Sequence, residues 1–377
     1  MKLLLGHISD THLGASPYSI LERERDFYDA FEEAVDVMVK DHVDAVIHAG
    51  DVFDAPKPGG SAMLVLLRGF RRLADSGARI FFTLGEHDIS RMPGTPSPLL
   101  FSEIGLATYV GDGMPHRYNG ITVTGFHKHR RSEIDSLRDK LAQLGKMQED
   151  GKRVLVLHQG LAEFHQFAGE MTQQDLPRGF DYYAMGHLHD KNKALFDGFR
   201  GPVCYPGSIE STSVEGIRER EKGFYLVDLS GETASTEWVR LRSVRPQFRT
   251  DIRYEDISQA AAALVDKVKG LEKKPMLDIT VRGKDIDRDL VSAALRQLCD
   301  LALYCQRSVV DEAVYTRELQ GKPADIDSEM METASRILGN SEAASFAINE
   351  LLPALYAGNE DEAAEMLWSA FKKGRAL

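Results

Sequence analysis

The chain has 377 residues, of which 43% are hydrophobic and 28% charged, and its formal net charge is −12. One core rarely supports more than about 250 to 300 residues, so we expect two domains and a tail. The negative charge excludes a generic nucleic-acid coating protein, because nonspecific affinity for nucleic acid requires an excess of Lys and Arg. No apolar run approaches the roughly 18 residues of a membrane span, and no signal-peptide cleavage site follows the N-terminus, which predicts a cytoplasmic protein.

Short apolar or β-branched runs, each bounded by Gly, Asp or His, predict buried strands in the first half of the chain. They lie at Leu3–Ser9, Asp44–Ala49, Arg79–Leu84, Ile121–Phe126, Arg153–Leu157 and Tyr182–Met185. Between them, apolar residues at helical spacing predict helices at Glu22–Lys40, Ala62–Leu73 and Glu133–Met147. The alternation of strands and helices predicts an α/β layered core.

After Tyr182 the chain becomes rich in predicted strands, which complete a first domain of residues 1–245. These strands lie at Pro202–Tyr205, Gly223–Leu229 and Thr236–Leu241. Residues 246–318 follow the pattern strand, helix, strand, helix, strand, which predicts a smaller α/β module. Residues 319–377 begin with a predicted linker and continue with amphipathic helical patterns at Ile326–Leu338, Ala343–Leu355 and Asp361–Phe371.

The three cysteines, Cys204, Cys299 and Cys305, are odd in number and lack a Cys-x-x-Cys spacing. We therefore expect neither a disulfide framework nor a zinc knuckle, and interpret all three as apolar filler.

Five segments place metal-ligating side chains directly after a predicted strand. They are Asp10-Thr11-His12, Gly50-Asp51, Gly85-Glu86-His87-Asp88, His158-Gln159-Gly160 and Gly186-His187-Leu188-His189. Because the carboxyl ends of strands meet at one edge of an α/β sheet, these side chains are predicted to converge. Each segment alone has a simpler interpretation, such as a polar strand end or a capping Asp in a turn, but the ordered set favours a metal site.

Oxygen and imidazole ligands suit Mn²⁺, Fe²⁺ or Zn²⁺ better than Ca²⁺, and the lack of thiolates argues against a closed structural zinc site. This many ligands would hold two metals. Two metals about 3.5 to 4 Å apart lower the pKa of a bridging water and stabilise both oxygens of a phosphoryl displacement. Hydrolysis of a phosphate ester is therefore the predicted reaction.

The ordered set DTH, GD, GEHD, HQG and GHLH resembles the signature of the calcineurin-like metallophosphoesterases. A narrower resemblance, to the archaeal MRE/SbcD-type double-strand-break repair nucleases, covers about the first 245 residues. It is carried by HISDTHLG at His7–Gly14, HAGDVFD at His48–Asp54, HQG at His158–Gly160 and DLPRGFDYYAMGHLH at Asp175–His189. It is extended by PVCYPGSIE at Pro202–Glu210, KGFYLVDL at Lys222–Leu229 and WVRLRSVRP at Trp238–Pro246. The resemblance implies a metallophosphoesterase sandwich, a DNA-capping domain at 246–318, and a helical segment at 319–377.

The resemblance also implies roles for individual residues. One metal would be held by Asp10, His12, Asp51 and His189, and the other by Asp51, Glu86, His158 and His187. His87 would face the scissile phosphate and help to protonate the leaving oxygen, while Asp88 would either orient the His87 ring or cap a helix. The implied cofactors are two Mn²⁺ ions, with Mg²⁺ as the less favoured alternative.

Two positions depart from the family pattern, which usually has Asn where Glu86 stands and His where Asp54 stands. A carboxylate at position 86 adds negative charge, which should make the bridging water less acidic and bind the metals more tightly. We therefore expect retuned or reduced activity. At position 54 a group that repels phosphate replaces a candidate contact to nucleic acid.

The densest basic stretches could contact DNA phosphates, with solvated helix faces as the alternative interpretation. Asp54, Arg91, Arg240 and Arg242 are the candidate contacts to nucleic acid. The resemblance further implies a homodimer, for which Met63, Leu66, Leu67, Phe70, Leu99, Leu100 and Ile104 offer an apolar stripe that could also be ordinary core. The acidic tail would bind a zinc-hook coiled-coil ATPase, or pack on itself as a subdomain.

The predicted function is Mn-dependent exonuclease and single-strand endonuclease activity on the ends of broken DNA. The alternatives are a phosphoesterase acting on small molecules or phosphoproteins, and a catalytically weakened scaffold for DNA repair.

Overall fold

A computed structural model of the chain describes residues 3–147, 151–165, 169–312, 326–352, 366–370 and 372. The chain divides into two compact units. One unit contains residues 1–251, 258–280 and 293–308, and the other contains residues 252–257, 281–292 and 309–377. The domain boundaries after residues 245 and 318 stay a prediction. The predicted linker and most of the last helical pattern, Asp361–Phe371, lie outside the described residues.

The described strands confirm the alternation that the sequence predicts. They are β1 (Leu4–Ile8), β2 (Ala45–His48), β3 (Arg79–Phe82), β4 (Thr108–Tyr109), β5 (His116–Tyr118), β6 (Ile121–Phe126), β7 (Lys152–His158), β8 (Tyr182–Gly186), β9 (Asn192–Ala194), β10 (Val203–Tyr205), β11 (Gly223–Asp228), β12 (Ser235–Arg240), β13 (Gln247–Arg253), β14 (Met276–Gly283) and β15 (Tyr304–Asp311). The α-helices are α1 (Leu21–Lys40), α2 (Gly60–Asp75), α3 (Leu99–Glu103), α4 (Ile134–Leu144), α5 (Ile257–Val268), α6 (Arg288–Leu301), α7 (Ile326–Leu338) and α8 (Ser341–Phe346).

Two six-stranded sheets form the body of the first unit. The first sheet has the order β12-β11-β1-β2-β3-β4, and the second has the order β5-β6-β7-β8-β10-β9. Strands β1 to β4 are parallel to one another, as are β6, β7, β8 and β10. All of these parallel strands carry their carboxyl ends to one edge of their sheet. β13, β14 and β15 form a third, smaller sheet.

The buried side chains of the body alternate between two faces of each strand, as a strand with both faces covered requires. Ala45 and Ile47 of β2 join Val154 and Val156 of β7 in a core between the sheets. On the outer face of the first sheet, Val46 packs with apolar residues of α1 and α2. On the outer face of the second sheet, residues of α4 pack with β7 and β8. The body is therefore a sandwich of two sheets flanked by helices, as the resemblance implied.

The second unit contains two helices of the tail, α7 and α8, which pack against each other. The Asn340 side chain caps α8 by accepting hydrogen bonds from the backbone N–H groups of Glu342 and Ala343. Ala344 and Phe346 of α8 are buried. Within the described residues, none of the helices combines the length and apolar character needed to cross a membrane.

One prediction about the cysteines is wrong. Cys299 of α6 and Cys305 of β15 form a disulfide, with their Cα atoms 5.3 Å apart. The chain reverses direction between the helix and the strand, which brings together two side chains that a sequence separation of six does not mark as a pair. Cys204 is free and fully buried in the core between the sheets, as an apolar filler would be.

Candidate metal centre

The five predicted segments lie at the carboxyl ends of parallel strands from both sheets. Asp10, Asp51 and Glu86 follow β1, β2 and β3 of the first sheet. His158 ends β7 and His187 follows β8 of the second sheet. The structure thus brings side chains that are up to 179 residues apart in sequence into one cluster, whose members are Asp10, His12, Asp51, Glu86, His87, His158, His187 and His189, together with Asp54.

One group of donors consists of Asp10, His12 and His189, whose ligand atoms all lie within 4.8 Å of one another. The Nε2 atoms of His12 and His189 face each other at 3.1 Å. Asp10 also accepts hydrogen bonds from the backbone N–H of His187 through both of its oxygens, which fixes the carboxylate. Two ring nitrogens and a carboxylate that converge in this way could supply three ligands to one cation.

A second group consists of Glu86, His158 and His187, again within 4.8 Å. The Glu86 Oε2 atom lies 3.0 Å from His187 Nδ1 and 3.7 Å from His158 Nε2. Asp51 lies between the two groups, because its Oδ2 atom is 3.3 Å from His158 Nε2 and 3.9 Å from His12 Nε2. This position would allow one carboxylate to serve two cations.

Hydrogen bonds behind the cluster set the tautomers of two histidines. His158 donates from Nδ1 to the backbone carbonyl of Ala49 at 2.7 Å, and His189 donates from Nδ1 to Glu215 Oε1 at 3.1 Å. Each bond leaves Nε2 facing the cluster, which is the arrangement typical of metal-ligating histidines. His158 Nε2 is buried and makes no hydrogen bond in the described residues. Glu215 was missed by the sequence reasoning, because nothing in its own segment marks it as a partner of His189.

The carboxylates of the cluster stabilise positive charge on the neighbouring groups. Burial lowers the pKa of His12, but Asp54, Asp51 and Asp10 outweigh it and raise that pKa to about 9. Burial likewise opposes protonation of His158, yet Asp51, Asp10 and Glu86 raise its pKa to about 10. The four carboxylates thus favour the protonated form of the imidazoles. A divalent cation would neutralise the same negative charge more completely. The donor set fits divalent metal ions.

The backbone of the cluster is strained at the ligand positions. Asp10, His12, Asp51 and His187 all have positive φ, between 40° and 97°, which is unfavourable for residues other than glycine. Gly50 has a φ of 94°, and a Cβ there would lie 2.4 Å from His158 Nδ1. Such strain is concentrated at functional sites, where the surrounding structure enforces it.

Asp88 has a role that differs from both predictions for it. Its buried carboxylate accepts hydrogen bonds from the backbone N–H groups of Gly85, Val52 and Phe53. The His87 ring instead donates from Nδ1 to the carbonyl of Asp54, at 2.9 Å. Asp88 therefore neither orients the His87 ring nor caps a helix: it joins the two loops that carry Asp51 and Glu86.

Asp54 and Glu86, the two positions that depart from the family pattern, each lie close to a side chain of opposite or potential positive charge. The Asp54 carboxylate lies 3.5 Å from His12 Nδ1, so it is placed to hold the His12 ring. Glu86 Oε2 lies 3.3 Å from the Nζ atom of Lys128. Lys128 follows β6 and is also paired with Glu170. Sequence reasoning placed Lys128 only in a basic run and did not consider Glu170.

A cavity of about 680 Å³ opens beside Glu86 and His87, and its lining includes Arg91, Lys128 and Arg130. Arg91 therefore lies close to the cluster, and its contact with nucleic acid stays a prediction. Arg240 and Arg242 line a separate cavity, which contains none of the cluster's donors. Arg240 is paired there with Glu221, at 3.2 Å.

Residues 3–191 match the family described as calcineurin-like phosphoesterase. Three curated relatives are archaeal proteins named DNA double-strand break repair protein Mre11. The protein from Saccharolobus solfataricus is 33% identical over 82% of this chain and 83% of its own length. The one from Sulfurisphaera tokodaii is 30% identical over 90% and 88%. The one from Sulfolobus acidocaldarius is 31% identical over 80% of each protein. The chain therefore belongs to the calcineurin-like phosphoesterases and, within them, to the family of the archaeal Mre11 proteins.

Proposed function

We propose that the chain is a Mn-dependent nuclease that processes the ends of DNA double-strand breaks, with exonuclease and single-strand endonuclease activity. The observation that supports this most is the pair of donor groups that share Asp51 at the edge of both sheets. The relatives named as double-strand break repair proteins supply the substrate class. Their similarity extends over at least four fifths of this chain.

In the proposed centre, Asp10, His12, Asp51 and His189 hold one Mn²⁺, and Asp51, Glu86, His158 and His187 hold the other. The two bound ions would activate a water and stabilise the charge that develops on the phosphate oxygens. Asp51 would serve both ions, and its carboxylate is held in place because its Oδ1 atom accepts a hydrogen bond from the backbone N–H of His87 at 2.8 Å.

His87 is the proposed proton donor to the leaving oxygen. It is exposed, lines the cavity and lies against the His12 ring, with the two ring centres 4.8 Å apart. Its Nδ1 atom is engaged by the Asp54 carbonyl, so Nε2 is the nitrogen left for substrate. A protonated imidazole in this place would also stabilise negative charge on the phosphate.

The cavity beside the cluster is the proposed path of the DNA backbone. Arg91 and Arg130 line it together with His87, so cationic side chains lie next to the proposed point of cleavage. Contacts of this kind position the phosphates without reading sequence. Arg240 and Arg242 would contact DNA only outside this cavity, and their contribution is correspondingly indirect.

The proposed partners are a second copy of the chain and a zinc-hook coiled-coil ATPase. Part of the predicted dimer stripe is core, since Leu66 and Phe70 are 0% and 2% exposed. Leu64, Leu100 and Ile104 are about half exposed and form the apolar surface that remains for a helical dimer contact. The acidic tail that contains α7 and α8 is the proposed ATPase-binding segment, in a helix-in-groove mode.

The experiment that tests the function is a cleavage assay with Mn²⁺. Linear double-stranded DNA, circular single-stranded DNA and a small phosphodiester are incubated with the chain and with a His87→Ala variant. We expect cleavage of both DNAs by the parent, and loss of cleavage by the variant with Mn²⁺ still bound. Cleavage of the small diester alone would favour the general phosphoesterase.

A repair scaffold is the second candidate, and it is favoured by the salt bridge between Glu86 and Lys128. A scaffold would bind the ATPase and DNA ends but cleave neither DNA under any Mn²⁺ concentration. A pull-down with the ATPase, performed beside the cleavage assay, separates this outcome from an inactive preparation.

A further inference from the structure

The Lys128 ammonium lies beside the donor atoms of the second group, which consists of Glu86, His158 and His187. Its Nζ atom lies 3.3 Å from Glu86 Oε2, the same oxygen that faces His187 Nδ1 and His158 Nε2. Nζ also lies 3.4 Å from His187 Nε2. The Lys128 side chain is only 8% exposed, so this charge is held inside the protein and is not a solvated surface group.

Glu170 fixes Lys128 in this place. Both carboxylate oxygens of Glu170 accept hydrogen bonds from Nζ at 2.8 Å. The chain around both residues is itself anchored, because Lys128 N–H donates to the Leu84 carbonyl and Glu170 N–H donates to the Gly160 carbonyl. Leu84 and Gly160 are two residues away from Glu86 and His158. The lysine is therefore built into the same framework as the proposed ligands.

The first donor group has no such cation. In the described part of the chain, no lysine or arginine forms an ion pair with Asp10 or Asp51, which are 0% and 1% exposed. Their ion-pair partners there are histidines. The two halves of the centre thus differ: one offers carboxylates free of fixed cations, and the other offers a carboxylate already neutralised by an ammonium.

The His187 ring adds a second conflict. If Nδ1 binds a cation, its lone pair is used and the ring hydrogen lies on Nε2. Nε2–H would then point at the Lys128 ammonium, which has only hydrogens to offer. Lys128 must therefore move away from His187 when a cation binds there. The same movement follows from repulsion, because the ammonium and the metal cation would both lie against Glu86 Oε2.

We propose that Lys128, held by Glu170, is a positioning residue that competes with the second metal and makes the two metal sites unequal. One Mn²⁺ binds tightly to Asp10, His12, Asp51 and His189, while the second binds weakly because it displaces the ammonium. This inference rests on the proposed metal-dependent function and explains how a chain with Glu86 tolerates the extra carboxylate.

The test is a titration of the metal-stripped chain with Mn²⁺ alone, followed by calorimetry and by electron paramagnetic resonance of the free ion. We expect two sites whose dissociation constants differ by at least about tenfold. Lys128→Met should strengthen the second site by at least about tenfold, since it removes the competitor. Glu170→Gln should weaken the second site, because it frees the ammonium to pair fully with Glu86.

Lys152→Met is the matched control. Lys152 is also partly buried and paired with a carboxylate, Asp181, but it lies at the opposite end of β7 from His158. It should leave both Mn²⁺ sites unchanged. A purely structural role for Lys128 predicts that Lys128→Met and Glu170→Gln weaken the site together, which would overturn the inference.

Two equally tight sites in the parent would also overturn this inference and leave the proposed function intact. A parent chain that takes up no Mn²⁺ would overturn both. If Lys128→Met does not fold, Lys128→Gln takes its place in the titration, because it also removes the ammonium, and a weakened or unchanged second site in that variant overturns the inference.

Discussion

His158 donates a hydrogen bond from Nδ1 to the backbone carbonyl of Ala49, at 2.7 Å. Ala49 directly follows β2 of the first sheet, whereas His158 ends β7 of the second, so this bond joins the two sheets at the metal centre. Gly186 lies against the same pair of groups. A Cβ at Gly186 would be 2.1 Å from the Ala49 carbonyl oxygen and 2.8 Å from His158 Nδ1.

Gly186→Ala should therefore destabilise the chain and weaken metal binding together. The extra methyl must push the Ala49 carbonyl away from His158, and overpacking of this kind costs about 1 to 3 kcal/mol. Denaturant unfolding and Mn²⁺ titration measure the two effects. Gly60→Ala is the control, because nothing lies within 4 Å of a Cβ at that helical position. Equal behaviour of the two variants would contradict the steric argument.

Glu215→Gln should weaken the Mn²⁺ site that contains His189. Burial opposes ionisation of Glu215, but His189 and Lys222 outweigh it and lower its pKa to about 2. Removing the charge weakens the hold on the His189 ring, and losses of this type reduce metal affinity about 10- to 100-fold. Glu221→Gln, an exposed carboxylate paired with Lys191, is the control and should bind Mn²⁺ normally.

Asp88→Ala should lower the free energy of unfolding by roughly 3 kcal/mol, since three buried N–H groups lose their acceptor. Asp88→Asn keeps one acceptor oxygen, so its loss should be smaller. Chemical denaturation of both variants measures the difference. An alanine variant as stable as the asparagine variant would show that the carboxylate does not hold the two loops.

The metal-free chain should lose stability as the pH rises from about 7 to 10. The pKa values of His12 and His158 are raised to about 9 and about 10 in the folded chain. Such groups contribute stability that is fully present below the unfolded pKa of about 6.5 and is lost as the pH passes through the folded values. Thermal unfolding in a chelator, measured at several pH values, follows the loss.

Binding of Mn²⁺ should release protons for the same reason. At pH 7 the raised pKa values keep both rings protonated without metal, and a ligating imidazole must give its proton up. Calorimetry in two buffers of different ionisation enthalpy counts the protons. No release at pH 7 would mean that the rings are already neutral.

Glu86→Asn should raise nuclease activity with Mn²⁺, because removal of a negative charge makes the activated water more acidic. The increase should be at most about tenfold at neutral pH, since a shift of about one pKa unit in the activated water changes its ionised fraction about tenfold. Initial rates on linear DNA at saturating Mn²⁺ measure it. A parent that already matches the variant would show that Glu86 does not retune the centre.

Much of the fold and of the site could be predicted from local patterns. β1, β2, β3 and β7 are apolar runs that end at His or are followed within three residues by Asp or Gly, so both the strands and the polar residues at their ends can be read from the sequence. A rule about parallel strands then suffices to bring the ends together.

The partners behind the ligands could not be predicted in this way. Glu215 and Glu170 lie in segments without any periodic pattern, and only the folded chain brings them to His189 and Lys128. Asp88 was recognised as important but was given the wrong partner, because a carboxylate next to a histidine in sequence need not face it in space. The Cys299–Cys305 pair was missed because the turn between α6 and β15 decides it.

The proposed metal ligands come from both sheets, and this has a consequence for the stability of the protein in a cell. A metal bound to these ligands would link the two sheets, so metal binding would stabilise the packing of one sheet against the other. Substitutions that loosen the packing between the sheets, for example at Val156 or Cys204, should first reduce metal binding and activity and only with greater destabilisation unfold the chain. Starvation for metal should in turn leave a looser protein that is degraded sooner.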